Sequence, residues 1–130
     1  MWINAKWIKG VEQSAPFVKV VIMVFVVNKN IWRIEFVNPY SDNLVMSNGN
    51  RVLGLCDNNI KTIFIANNQS DYKTEHILCH EVTHAICMEY NITIPYGLEE
   101  ELCNFMADYG KEIIYIVEDI ISAITKKRAV

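Results

Sequence analysis

The stretch His80-Glu81-Val82-Thr83-His84 constrains this chain more than any other, because an H-E-x-x-H pattern brings its two imidazoles together only on a helix. Residues on a helix turn about 100° each, so His80 and His84 stand one turn apart and about 40° round from one another. From there both can reach one tetrahedral ion at the ~2.0–2.1 Å that zinc requires. Glu81, about 60° round from His84, is near enough to address a water on that ion. The surrounding segment, 74–90, reads as helix. With Ile77 as zero, Leu78, Val82, Ala85 and Ile86 fall between about 80° and 180°, an apolar stripe for the core. The two histidines and Glu81 share a second sector with Ile77 and Met88, which predicts a partly buried site rather than a solvated face.

Two imidazoles alone hold an ion weakly, so a further ligand must come from elsewhere. The acidic run Glu99-Glu100-Glu101 opens the last helix. With Glu100 as zero, that helix's apolar face centres near 220°. Glu101 and Asp108 point away from it and are expected to be solvated. Glu99 sits at its edge, where a first-turn carboxylate favours the helix dipole. Glu100 shares a sector with Cys103, Asn104 and Ala107, small enough to allow close approach of the metal-site helix. Glu100 is therefore the expected third ligand, with Asn104, one turn on, orienting it or a histidine. His76 completes an i, i+4, i+8 series, but one straight helix cannot wrap three residues round one ion, and it is expected at the rim.

The rest of the chain frames these helices. Its 130 residues suit one domain spanning 1–130, and 52% hydrophobic with 21% charged residues is a globular composition. The net charge of −3 argues against general nucleic-acid binding. Residues 1–60 carry six basic and four acidic side chains and residues 61–130 six and eleven, so the metal motif lies in the acidic half. The apolar run 17–27 is too short for a transmembrane helix, which needs about 20 residues, and lacks the small-residue cleavage site of a signal peptide. A strand is expected there, with others over 31–37, 51–55 and 61–66. Residues 1–16 show no clear period. A metal-site helix over about 71–90, capped by Ser70 or Asp71, and a long helix over about 98–127 complete the outline. The fold class is thus α+β, a small, mostly antiparallel sheet followed by two helices. The last helix is long for the domain, so its far end is expected beyond the core and is a candidate dimerisation element. Cys56, Cys79, Cys87 and Cys103 have neither C-x-x-C pairing nor disulfide-framework spacing. They read as free thiols in a reducing, cytoplasmic setting.

The stretch from Leu55 to Gly110 resembles the ImmA/IrrE group of small zinc metallopeptidases, especially the short versions encoded by phages, prophages and other mobile elements. Leu78-Cys79-His80-Glu81-Val82-Thr83-His84-Ala85 matches one motif. Glu100-Glu101-Leu102-Cys103-Asn104-Phe105-Met106-Ala107 is similar to that group's E-x-x-A-(D/N)-x-F-A, with Cys103 and Met106 in place of the usual Ala and Phe. The resemblance implies a zincin-like fold, with zinc on His80, His84 and Glu100 and with Glu81 as general base for peptide hydrolysis. It implies a protein or peptide substrate such as a repressor-type regulator, and a regulatory protein partner. His76, Tyr72, Tyr96 and Tyr109 are all candidates to assist the oxyanion. The competing expectation is a catalytically silent zinc-binding module that sequesters a partner protein.

Overall fold

A computed structural model describes residues 5–8 and 22–128. Its strands are β1 (Ala5–Ile8), β2 (Ile22–Val27), β3 (Asn30–Val37), β4 (Gly54–Asp57) and β5 (Thr62–Ala66). Helices α1 (Asp71–Glu89), α2 (Tyr96–Phe105) and α3 (Lys111–Arg128) follow, and a π-helical turn, Met106–Gly110, joins the last two. The class is α+β. β2, β3, β5 and β4 form a mixed sheet with β1 added beyond β2, in the order β1-β2-β3-β5-β4. All pairings are antiparallel except β3 with β5.

Local chemistry accounts for the joints. Asn28 and Lys29 both take positive φ, 49° and 67°, which a two-residue turn needs to match the twist of β2 and β3. The expected strand over 17–27 is present from Ile22, and 17–21 lie outside the described residues. The strand expected over 51–55 instead spans Gly54–Asp57. Arg51 is held in an isolated bridge with Val45, and the chain bends at Leu53 before pairing with β5. Within the N-terminal segment that shows no period, Ala5–Ile8 is a strand paired with β2.

β5 is the central strand of the core, and all five of its residues are buried. Ile63 and Ile65 pack with Trp32, Ile34, Ile77 and Ala85 in a cluster between sheet and α1, while Phe64 and Ala66 meet Leu44 from a 3₁₀ turn on the opposite face. The alternation of β5 thus feeds two clusters, as a strand covered on both faces should. On α1, Ile77, Ala85 and Cys87 are buried, but Ile86 is 40% exposed rather than part of the stripe. The helix leans on the sheet through Ile77 and Ala85 and turns Ile86 away.

The ends of α1 are fixed by the sequence. Ser70 caps it by accepting from the Lys73 N–H. Asn91 takes the left-handed conformation just past its end, with the Ile92 N–H donating to the Cys87 carbonyl and the Asn91 N–H to that of Met88. Glu89 at its last turn is buried, accepting from Trp32 Nε1 at 2.8 Å and Asn30 Nδ2 at 2.6 Å and pairing with Lys61 Nζ at 2.9 Å. Those bonds tie α1 to the sheet and hold the carboxyl below its ordinary range, Lys61 contributing most. No described helix is long and apolar enough to cross a membrane.

Candidate metal centre

The two histidines of α1 converge as their spacing predicts, with ring centroids 5.0 Å apart. The Glu100 carboxylate bridges them, Oε2 at 3.2 Å from His80 Nε2 and Oε1 at 2.8 Å from His84 Nε2. Glu99 approaches His84 from the other side, its Oε2 2.8 Å from Nδ1. A neutral imidazole that donates its Nδ1–H to Glu99 has no hydrogen left at Nε2 for Glu100. Lone pairs of Nε2 and a carboxylate at that separation require a cation between them, a proton or a metal ion. Tetrahedral ligands with ~2.0–2.1 Å bonds stand about 3.3 Å apart, close to the His80–Glu100 separation, whereas the 2.8 Å between His84 and Glu100 is that of a charge-assisted hydrogen bond.

Cys103 adds a donor that sequence reasoning read only as a small packing residue. One ligand atom each from His80, His84 and Cys103 lie within 4.8 Å of one another, a cluster that could hold a metal ion. The side chain is fully buried, and burial, with the Glu100 carboxylate next in effect, pushes its thiol up to about 12. A cation replacing the thiol proton would relieve that cost. Cys79 donates instead to the Met106 carbonyl at 3.3 Å, at the start of the π turn. All four cysteines are free.

The face that α2 turns to α1 decides which acidic residues arrive. Cys103 is buried, so that face centres near it. Glu99 and Glu100 lie about 40° and 60° to either side of Cys103, while Asn104 lies a further 40° beyond Glu100. Both carboxylates therefore reach the histidines. Asn104 is exposed and makes no hydrogen bond to the site among the described residues, whereas Glu99 meets His84 Nδ1. Glu99 was legible only as a dipole-favouring residue, and its approach to His84 depends on the angle between two helices. Glu101 is exposed as expected. The Nε2 of His76 lies 2.7 Å from Asp108 Oδ1, so Asp108 is exposed but paired, and His76 is not among the residues lining the cleft beside His80 and His84.

Glu81 is buried, and burial lifts its carboxyl to about 7, with His84 pulling down and the Glu100 carboxylate pushing up. It faces a cleft of about 560 Å³ between α1, α2 and the strand β4. His80, His84, Glu99 and Glu100 line one side, and Val52, Gly54, Leu55, Cys56 and Met88 form an apolar wall. Tyr96 also lines the cleft, whereas Tyr72 and Tyr109 do not. At Gly54, β4 passes close to the base. A Cβ there would overlap Ile77 Cγ2 and stand 3.2 Å from Glu81 Cγ. Comparison with family models, with curated proteins and with solved structures finds no match to this chain.

Proposed function

We propose that this chain is a zinc-dependent metallopeptidase of the zincin type, hydrolysing a peptide bond in a specific protein substrate. His80, His84 and Glu100 hold the ion in this reading, and Glu99 orients His84. One observation carries it: Glu81 is buried in the wall of a cleft beside two converging imidazoles that the Glu100 carboxylate bridges. A purely structural site has no use for such a base. Zinc bound to three protein ligands supplies an acidified water and polarises the carbonyl under attack. Glu81, buried beside the imidazoles, would accept the proton of the attacking water and return it to the leaving amine. Among the described strands β4 lies at the edge of the sheet and lines the cleft, so an extended peptide can add beside it, its side chains meeting Val52 and Leu55. Tyr96 is the aromatic hydroxyl within reach of the cleft. The resemblance to the ImmA/IrrE group adds a repressor-type regulator as the substrate class.

Glu81→Gln tests the reading. That variant is expected to keep one zinc per chain and its melting temperature while cleavage of candidate repressors and of an unfolded test protein falls about 10²–10⁴-fold. Undiminished cleavage by it would remove the mechanism.

Cys103 favours a second reading, the silent zinc-binding module that sequesters a partner. A fourth protein ligand would close the tetrahedron and leave no position for water. Cobalt-substituted protein distinguishes the two. Strong thiolate-to-cobalt absorption, lost in Cys103→Ser and accompanied by no hydrolysis product, belongs to the module. Its absence, with cleavage, belongs to the peptidase.

A further inference from the structure

The contacts between α1 and the chain that follows it form a ladder, with the metal centre at one end. His84 meets Glu99 and Glu100, and His80 meets Glu100. Cys79 Sγ then donates to the Met106 carbonyl at 3.3 Å, and His76 Nε2 stands 2.7 Å from Asp108 Oδ1. An uninterrupted α-helix would not supply that last contact. Five residues at about 100° each set Asp108 about 140° round from Cys103, the buried residue on the face that α2 turns to α1. Asp108 would then point into water. It lies instead within the π turn Met106–Gly110, whose wider winding turns each residue less and so carries Asp108 back toward α1. His76 is there to meet it, one turn before His80 on the same side of α1.

We propose that His76 and Asp108 are a positioning pair: by pinning the π turn to α1 they fix the azimuth of α2, and with it the Glu100 carboxylate across the two imidazoles. This role presupposes the ion that His80 and His84 hold in the proposed function, but not the hydrolysis. The coupling is geometric. α2 runs into the π turn without a break, so Glu100 and Asp108 turn together. A rotation of only about 30° moves a side-chain end, ~5 Å from the helix axis, by about 3 Å. Such a shift breaks the contacts of Glu100 with His80 and His84 and that of Asp108 with His76 alike, so holding one holds the others. Lys111 and Glu75, 2.8 Å apart, also join the two segments. Lys111 lies past the π turn and has a flexible four-carbon stem, which follows a small rotation without letting go. That pair is the natural control.

Zinc affinity, measured by competition with a chromophoric chelator, tests the role. Asp108→Ala and His76→Ala should each weaken zinc by about 3–5-fold, as much as a partly exposed pair supports, and the double variant no more than either alone. Asp108→Asn retains an oxygen that accepts from His76 Nε2 and should bind zinc as wild type does. Glu75→Ala should also match wild type, although its metal-free melting curve should resemble that of Asp108→Ala, each having lost one ion pair between the same segments. Unchanged affinity in Asp108→Ala, multiplied losses in the double variant, or an equal loss in Glu75→Ala each overturns the proposal. A wild-type chain that binds no zinc removes the pair's role together with the metal centre. The expected pattern in a protein that cleaves nothing supports the pair and counts only against the peptidase.

Discussion

Substituting Gly54 with alanine tests how tightly β4 is pressed against the base-bearing helix. The new Cβ would overlap Ile77 Cγ2 and lie 3.2 Å from Glu81 Cγ and 3.5 Å from its Oε1. Ile77 cannot retreat, because it is 9% exposed and belongs to the cluster with Ile63, Ile65 and Ala85. One methyl forced into such a site costs about 1–3 kcal/mol. At about 4 °C per kcal/mol for a chain of this size, the melting temperature should fall by about 4–12 °C. Thermal unfolding followed by circular dichroism measures the loss, and a double-mutant cycle assigns its cause. Ile77→Ala alone should cost about 2–5 kcal/mol. If the new methyl strikes Ile77, the double variant must cost less than the sum of the two by about 1 kcal/mol or more. Metal content should be unchanged, since no ligand is touched. A Gly54→Ala protein within ~0.5 kcal/mol of wild type, or strictly additive costs, would refute this account of the strand–helix contact.

Glu99→Gln should weaken metal binding about 10–100-fold by competition with a chromophoric chelator, whereas Asn104→Ala, on the exposed side of α2, should leave it unchanged. Removal of a resident ion by chelation should lower the melting temperature, by the equivalent of about 2.7 kcal/mol where free metal stood at ~100 times its dissociation constant, and readdition should restore it. The pH dependence of stability should carry the signature of Glu89. Its folded pKa lies below the ordinary 4.5, so it stabilises the fold most above that value and the contribution is lost as pH falls through the folded pKa. Melts from pH 6 to pH 3 should therefore decline less steeply for Glu89→Gln than for wild type, and parallel curves would exclude that carboxylate as the cause.

Helix period and cap chemistry made much of the site legible in advance. His80, Glu81 and His84 are fixed relative to one another by a single helix, so their mutual placement needs no tertiary information. Glu100 followed from the same arithmetic on the next helix, because a residue flanked by small neighbours is where another helix can come close. The structure places Glu99, Cys103 and Asn104 differently about the histidines from what was expected, and for one reason. The sequence gives angles within α2 but not the azimuth at which α1 meets it, and a rotation of about 60° from Glu100 toward Cys103 exchanges Asn104 for Glu99. The parallel partnership of β3 with β5 was likewise invisible, since alternation marks a strand without naming its neighbour.

The long C-terminal helix draws the same boundary. Its apolar spacing was read as one continuous face, and each of its two pieces is helical. The π turn at Met106–Gly110 shifts the phase between them, so that α2 faces α1 while the isoleucines of α3 are exposed. Local backbone and side-chain chemistry, which acts within a few residues, determined the helices, the hairpin turn, the caps and the histidine pair. The angles between elements arise from packing among residues far apart in sequence, and those alone decided which carboxylates and which thiol reach the histidines and which apolar face is exposed.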